Sequence, residues 1–287
     1  MIWLIYSLLS AFFTSLIDVF SKNSLKKFSE KSVAWYMIFI ALPFFIPFVL
    51  WQGWPVLNLE FWKALLVSGT LNVLGVLAYV KALNSSDLSL SVPFGTFTPV
   101  FMLITSPIIL GEYPGLLGII GIVVIVIGSY ILNLKEAEAG FFAPFRALLT
   151  EKGPRYMLVA AFCWSITSNF DKIGVNSTYP IFWSFALYAF VTIALLPFCW
   201  KEIKPVFSKF KNSVYAFLPL GLANALASIF LVLAYPMAFA SFTIAIKRTS
   251  TLFTVLIAHF YLKEKGFGER LAGTIIMILG VLLISFS

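Results

Sequence analysis

Residues 238–262 read Ala238-Phe-Ala-Ser-Phe-Thr-Ile-Ala-Ile-Lys247-Arg248-Thr-Ser-Thr-Leu-Phe-Thr-Val-Leu-Ile-Ala-His259-Phe-Tyr-Leu262. About 20 apolar residues in a helix cross the hydrocarbon core of a bilayer, so this run is long enough to span a membrane. Lys247 and Arg248, called the basic pair below, lie close to its midpoint, where a charge costs on the order of 2.5–3.5 kcal/mol. Adjacent cations at that depth need water, a counter-charge or a ligand, and we interpret them as the floor of an anion-binding site.

The composition of the whole chain is typical of a membrane protein. Of its 287 residues, 61% are hydrophobic and 11% are charged, whereas soluble domains carry about 25% charged residues. The net charge is +8, but most cations lie in short loops between apolar runs, where they set topology. The sequence therefore predicts a multi-pass protein embedded in a prokaryotic plasma (inner) membrane, with no nucleic-acid partner.

Hydropathy predicts an all-α membrane protein with ten transmembrane helices. The longest interruption, 135–154, is the predicted linker between two five-helix halves, 1–134 and 155–287. The expected helices are 2–22, 33–52, 61–81, 88–110, 114–134, 155–174, 179–200, 214–235, 238–262 and 267–286.

The two halves also match each other in sequence. A shift of 150 residues superposes Lys22 on Lys172, and a shift of 152 superposes Asn72 on Asn224. Because an odd number of helices per half inverts the second copy, we predict two inverted five-helix repeats. The shift of 152 also matches Gly69 with Gly221, Glu112 with Glu264, Gly121 with Gly273 and Gly128 with Gly280.

Basic residues concentrate in alternate loops. The loops after predicted helices one, seven and nine are rich in lysine, whereas their repeat-related counterparts are poor. The positive-inside rule therefore places these loops in the cytoplasm and both termini outside. The basic residues of these loops are Lys26, Lys27, Lys31, Lys201, Lys204, Lys209, Lys211, Lys263, Lys265 and Arg270.

A short turn containing a glutamate precedes a glycine-rich helix at the end of each half: Leu110-Gly-Glu112-Tyr-Pro-Gly115 in the first and Leu262-Lys-Glu264-Lys in the second. With these turns and the repeat, nearly the whole chain resembles the paired EamA-type domains of the drug/metabolite transporter superfamily. The resemblance implies an alternating-access transporter, often with both termini in the cytoplasm, the reverse of the lysine count. The basic pair resembles that of triose-phosphate and related organophosphate exchangers, which implies a phosphate-bearing substrate.

The basic pair is the first candidate binding site. On a continuous helix the two side chains are about 100° apart, so both can border a wide cavity. Arg248 can grip a phosphate or carboxylate through two N–H groups, and Lys247 adds a point charge. Thr249 and Ser250 follow and can donate further hydrogen bonds. Alternatively, carboxylates from other helices neutralise the pair as a structural lock.

Two repeat-related lysines, Lys22 and Lys172, are predicted to flank the same cavity. Asp18 lies one turn before Lys22 and can pair with it, while Asp171 adjoins Lys172. Alternatively, each lysine extends to the membrane interface. Together with the basic pair there are four embedded cations against two carboxylates, which leaves two positive charges and favours an anionic substrate.

Four further polar residues are candidate ligands in predicted helices three and eight. The asparagines either bind substrate or join helix to helix, and the tyrosines either offer hydroxyl groups or belong to an aromatic belt. These residues are Asn72, Asn224, Tyr79 and Tyr235.

Predicted helix four, the repeat partner of helix nine, is rich in proline. Pro93, Pro99 and Pro107 free backbone carbonyl groups, which suits either a gate or a packed kink. Gly95 and Thr96 align with the basic pair, so the first half supplies a small-residue wall where the second supplies charge.

No motif in the sequence indicates catalysis. The chain lacks a P-loop, a metal-ligand cluster and a nucleophile–base constellation, so we expect no catalytic residue, metal, cofactor or enzymatic activity. Glu112 and Glu264 are expected to cap helix starts, and His259 to pack within the bundle.

The predicted function is secondary transport of a small anionic metabolite, with phosphorylated metabolites among the candidates, by a monomer or weak dimer. Exchange is expected, because reorienting an empty, positively charged cavity is costly. Three alternatives remain. They are an exporter of amino acids or other small metabolites, a flippase for a phosphate-bearing lipid, and a non-transporting receptor or assembly protein.

Overall fold

The computed structural model describes residues 2–85, 91, 94–134, 151–207, 210–254, 257 and 267–287, and across these ranges the chain is helical without strands. The described α-helices are α1 (Ile2–Leu25), α2 (Glu30–Phe39), α3 (Leu42–Gln52), α4 (Leu59–Ser85), α5 (Thr98–Leu110), α6 (Leu116–Leu134), α7 (Lys152–Ser177), α8 (Pro180–Phe207), α9 (Phe210–Ala234), α10 (Ala240–Lys247) and α11 (Phe267–Ser285).

Five helical segments of the described ranges are long and apolar enough to cross a bilayer: Ile2–Leu25, Glu30–Gln52, Leu59–Ser85, Pro180–Lys204 and Tyr215–Met237. Shorter apolar helices cover Thr98–Leu110, Leu116–Ile131 and Ile275–Ser285. Large apolar side chains lie on the outside of the bundle, as a lipid environment requires. The predicted all-helical fold is confirmed; ten complete spans stay a prediction.

Proline interrupts the second predicted helix. The expected helix 33–52 is two helices, α2 and α3, with a turn at 40–41. Pro43 lies in the first turn of α3. Proline has no backbone N–H to donate to the carbonyl group four residues back, and its ring clashes with that carbonyl group, so α2 cannot continue through Pro43. Hydropathy averages over such a break, so the prediction of one continuous helix was wrong.

Predicted helices four and nine are also broken. The first has a turn at 96–97 before α5, and the second has a turn at 248–249 between α10 and helical backbone at 250–254. The two turns are 152 residues apart, the shift that relates the halves. The prediction of a continuous helix through the basic pair was therefore wrong, because the backbone tightens there: the Thr249 amide donates to the Ile246 carbonyl at 3.0 Å, three residues back.

The turn between α5 and α6 places Glu112. Gly111 ends α5 in the left-handed conformation, with φ +68°, which glycine adopts without steric cost. Glu112 follows at once, outside both helices. Its side chain is therefore free to reach the second half of the chain.

Helices of the first half pack mainly against helices of the second half. The most extensive contacts join α4 with α7, α1 with α9, and α6 with α11. Gly69 lies against the ring of Phe190, and Gly221 lies against Ile40. These two contacts correspond to each other under the shifts of 152 and 150, so they are equivalent contacts made once by each half.

The α6–α11 contact is also reciprocal. A Cβ atom at Gly121 would lie 3.0 Å from the carbonyl oxygen of Gly280, and one at Gly280 would lie 2.8 Å from that of Gly121. A Cβ atom at Gly128 would lie 2.9 Å from the carbonyl oxygen of Gly273. Small residues let the two backbones approach this closely.

The loop contacts define the two faces of the bundle. Lys31 and Glu202 form an ion pair at 3.2 Å, and Asn84 donates to Glu30 at 2.6 Å. The start of α2 and the ends of α4 and α8 therefore meet on one face, called the basic-rich face below. The α5–α6 turn and the end of α7 lie on the opposite, basic-poor face.

Candidate functional site

A cavity of about 190 Å³ lies between the two halves. A single water needs roughly 10–15 Å³, so the cavity has room for a small solute. Its wall is largely apolar and aromatic, and the charged residues of the described ranges that line it are Asp18, Asp171, Lys247 and Arg248.

The two members of the basic pair differ in their contacts. Arg248 Nη2 donates to Thr98 Oγ1 at 2.6 Å, and its guanidinium group lies 5.3 Å from the centre of the Trp164 ring. Lys247 Nζ makes neither a hydrogen bond nor an ion pair with any residue of the described ranges. Arg248 is therefore held in place, whereas the Lys247 ammonium group is available to a ligand.

Each carboxylate in the cavity accepts a hydrogen bond from a neutral hydroxyl group. Tyr79 donates to Asp18 at 2.6 Å, and Ser68 donates to Asp171 at 2.5 Å. Neither aspartate has an ion-pair partner within 4.0 Å in the described part of the chain. Their charges act on the basic pair across the cavity instead.

Lys22 and Lys172 do not line this cavity. Lys22 Nζ donates to the Leu83 carbonyl at 2.7 Å, and Lys172 forms an ion pair with Glu112. The predicted pairing of Lys22 with Asp18 was wrong. The expected excess of two cations is not found among the described residues of the wall, which carry two positive and two negative groups.

Helix geometry explains the position of Lys172. Adjacent residues point about 100° apart on a helix, so Asp171 faces the cavity while Lys172 turns toward the α5–α6 turn. Sequence reasoning counted Asp171 as embedded charge but did not select it as a site residue. A carboxylate within an apolar helix was the available signal.

The candidate asparagines and tyrosines all line the cavity. The Asn224 amide bonds at both of its polar atoms, because Nδ2 donates to the Met37 carbonyl at 2.9 Å and Oδ1 accepts from Tyr188 at 3.0 Å. Asn72 donates to the Ser68 carbonyl at 3.0 Å. The Asn224 side chain therefore holds helices together.

The two tyrosine hydroxyl groups differ. The Tyr79 hydroxyl group donates to Asp18, whereas the buried Tyr235 hydroxyl group makes no hydrogen bond within 3.5 Å to any described residue. Tyr235 lies in the 3₁₀ turn Tyr235–Met237 between α9 and α10. Its hydroxyl oxygen is buried beneath the surface of the cavity wall.

The broken helix separates the residues after the basic pair. Ser250 and Thr251 line the cavity, but Thr249 does not; its hydroxyl group donates to the Ile246 carbonyl at 2.7 Å. Thr98 and Trp164, which hold Arg248, gave no signal in the sequence because they come from other helices.

Glu112 caps a helix, but not the one that follows it. Its Oε2 accepts a hydrogen bond at 2.8 Å from the backbone amide of Ala240, the first residue of α10. Pro93, His259 and Glu264 lie outside the described residues, as does most of the predicted linker.

A helical membrane bundle with a charged cavity between two related halves is the architecture of a solute transporter. The chain belongs to the EamA-like transporter family, whose sequence model matches residues 1–134 and 152–286. It is 24% identical over 302 positions to an uncharacterized transporter of Archaeoglobus fulgidus, covering 99% of this chain and 98% of that protein. A solved crystal structure has the same fold, with a TM-score of 0.64 at 13% identity, covering 97% of this chain and 98% of that one.

These similarities confirm the predicted family and its two repeats. The protein is an integral, multi-pass membrane protein of a transporter family. The likeness of the basic pair to that of organophosphate exchangers stays a prediction.

Proposed function

We propose that this protein moves a small metabolite across the membrane by alternating access and holds the solute's anionic group with Lys247 and Arg248. The observation that carries the proposal is the Lys247 ammonium group, which borders the cavity without a partner in the described chain. A charged group withdrawn from water is costly unless it is paired. A carboxylate or phosphate of the solute supplies the missing partner.

The balance of charges favours a zwitterion. Two cations and two carboxylates line the cavity in the part of the chain that the structure describes, and a solute with one positive and one negative group leaves their sum unchanged. A dianionic phosphate ester adds two negative charges to a wall that already carries two carboxylates. Of the two substrate classes expected from the sequence, an amino-acid-type metabolite therefore fits better, with its ammonium group toward Asp18 or Asp171.

A phosphorylated anion is the second candidate. The Ser250 hydroxyl group lines the cavity together with the basic pair. Phosphate oxygens accept more hydrogen bonds than a carboxylate does, and a hydroxyl donor beside two cations suits them.

The exchanged contacts between the halves support inverted repeats. α4 packs on α7 while α1 packs on α9, and α6 packs on α11 through reciprocal glycine contacts. Rocking of two inverted halves about a central site is the usual form of alternating access. The broken helices at 96–97 and 248–249 give each half a hinge at the level of the cavity.

A panel of four solutes separates the substrate classes. We expect an α-amino acid to compete best for uptake into proteoliposomes, the acid that lacks its ammonium group to compete less, and the amine that lacks its carboxylate to be inert. A phosphate ester that competes more strongly than the amino acid would favour the second candidate. Competition by the amine alone would contradict a role for the basic pair.

Uptake should not require a counter-solute. An empty cavity with equal numbers of positive and negative groups can reorient without moving net charge, so the electrostatic reason for obligate exchange is absent. We expect uptake into empty proteoliposomes at about the rate seen in vesicles preloaded with the same solute. A rate in empty vesicles near zero, restored by preloading, would contradict this expectation.

Thr98→Val should weaken solute binding by releasing Arg248. The hydroxyl group accepts from Nη2 of the guanidinium group, and hydrogen bonds to charged groups contribute about 1.5–3 kcal/mol. We expect the transport KM to rise about tenfold, and Thr98→Ser, which keeps the hydroxyl group, to stay near the wild type. An unchanged KM in the valine variant would show that Thr98 does not position Arg248.

A further inference from the structure

We propose that Glu112 and Lys172 form a latch that closes the cavity on the basic-poor face, and that helix α10 connects this latch to the bound solute. The proposal rests on the proposed function, because it assigns a control element to the same site. Neither residue lines the cavity, so substrate binding does not account for them.

The latch consists of three contacts, two of which join the halves. Lys172 Nζ forms an ion pair with Glu112 and donates to the Ala238 carbonyl at 2.5 Å. Glu112 also accepts the Ala240 amide at 2.8 Å. Glu112 belongs to the first half, whereas Lys172 and Ala240 belong to the second. Separating the halves on this face therefore breaks both contacts of Glu112.

The ion pair is well shielded from solvent. Each of its side chains is only 11% exposed, whereas Lys31 and Glu202 on the basic-rich face are 48% and 32% exposed. Removing one partner of a shielded ion pair strongly destabilises the structure that the pair holds together, whereas an exposed pair contributes little to stability. The two pairs both join the halves, so the exposed one is a matched control.

Helix α10 connects the latch to the basic pair. Its first residue, Ala240, is bound by Glu112, and its last residue, Lys247, lines the cavity. Eight helical residues span about 12 Å and do not stretch. The backbone is extended before Ala240 and forms a turn after Lys247, so the helix can tilt as a unit.

The consequence is a mechanical coupling. A solute that draws Lys247 toward its anionic group tilts α10, and the tilt withdraws the Ala240 amide from Glu112. The latch then loses one of its contacts when the site is filled. Opening toward the basic-poor face is thereby linked to occupancy of the site.

Thiol labelling from each side of the membrane tests the latch without any solute. Thr14 lines the cavity, and Thr14→Cys places a reporter there, while the native Cys163 and Cys199 are buried. With a membrane-impermeant maleimide, we expect Glu112→Gln to raise the labelling rate from the basic-poor face at least about tenfold. Glu202→Gln, in the exposed pair, should leave that rate unchanged.

Two further variants keep the proposal falsifiable. The exchanged pair Glu112→Lys with Lys172→Glu restores the ion pair but not the contacts with the Ala240 amide and the Ala238 carbonyl, so its labelling rate should fall between those of Glu112→Gln and the wild type. If Glu112→Gln does not fold, oxidation of the Glu112→Cys, Lys172→Cys double variant should stop transport, and reduction should restore it. Unchanged labelling in a folded Glu112→Gln protein, or full transport by the oxidised double variant, would overturn the latch.

The same reporter separates this proposal from the proposed function. Lys247→Ala keeps the Glu112–Lys172 pair, so its labelling without solute should stay as slow as in the wild type. Solute binding by Lys247→Ala therefore tests the proposed function and not the latch. The labelling rate of Glu112→Gln tests the latch and not the proposed function.

Discussion

Lys247→Ala should remove most of the solute affinity while leaving the protein folded and more stable to heat. The lost charge-assisted hydrogen bonds contribute about 1.5–3 kcal/mol, which corresponds to roughly a 10- to 150-fold weaker affinity. Stability should rise because a shielded ammonium group without a partner is replaced by a small apolar side chain. Transport KM in proteoliposomes and the unfolding temperature in detergent measure the two effects.

The opposite signs make this prediction specific. Lys63, which is 59% exposed and pairs with Glu60 on the surface, provides the control, since Lys63→Ala should change neither quantity. A Lys247→Ala protein whose KM stays within twofold of the wild type would contradict a binding role. A protein that unfolds at a clearly lower temperature would show that Lys247 has a structural partner.

Gly128→Ala should lower the stability of the protein, because the new side chain would meet backbone atoms of α11 that cannot turn aside. The new Cβ atom would lie 2.7 Å from the Met277 backbone nitrogen and 2.9 Å from the Gly273 carbonyl oxygen, so α6 and α11 must separate. Overpacking of this kind costs about 1–3 kcal/mol, although alanine favours a helix over glycine by about 1 kcal/mol. The unfolding temperature should therefore fall by several degrees.

Gly115→Ala is the matched control for this contact. No atom lies within 4 Å of a Cβ atom built at Gly115, so its unfolding temperature should stay near the wild-type value. Equal unfolding temperatures for the Gly128 and Gly115 variants would contradict the close approach of α6 and α11.

The relation between the halves could be predicted from the sequence because polar residues and glycines are scarce in an apolar chain. Matches such as Asn72 with Asn224 and Gly121 with Gly273 stand out against leucine and phenylalanine, and the family model covers both halves. The breaks at 96–97 and 248–249 could not be predicted, because hydropathy measures how apolar a segment is and not how its backbone bonds.

The charge balance of the cavity was the main error of sequence reasoning. Lys22 and Lys172 were counted with the basic pair because all four lie within apolar helices. Their partners are a carbonyl group at the end of α4 and a glutamate in a turn of the other half, and tertiary contacts of this kind leave no local signal. Asp171 was undervalued for the same reason, since its partner Ser68 is 103 residues away.

A structure of the protein with its solute bound tests the binding role of the basic pair most directly. The quantity to measure is the distance from Lys247 Nζ to the nearest oxygen of the solute's anionic group. We predict a charge-assisted hydrogen bond of about 2.7–2.9 Å, with Arg248 still bound to Thr98. A solute that leaves Lys247 without a partner, or that presents an apolar or cationic group to it, would contradict the proposed function.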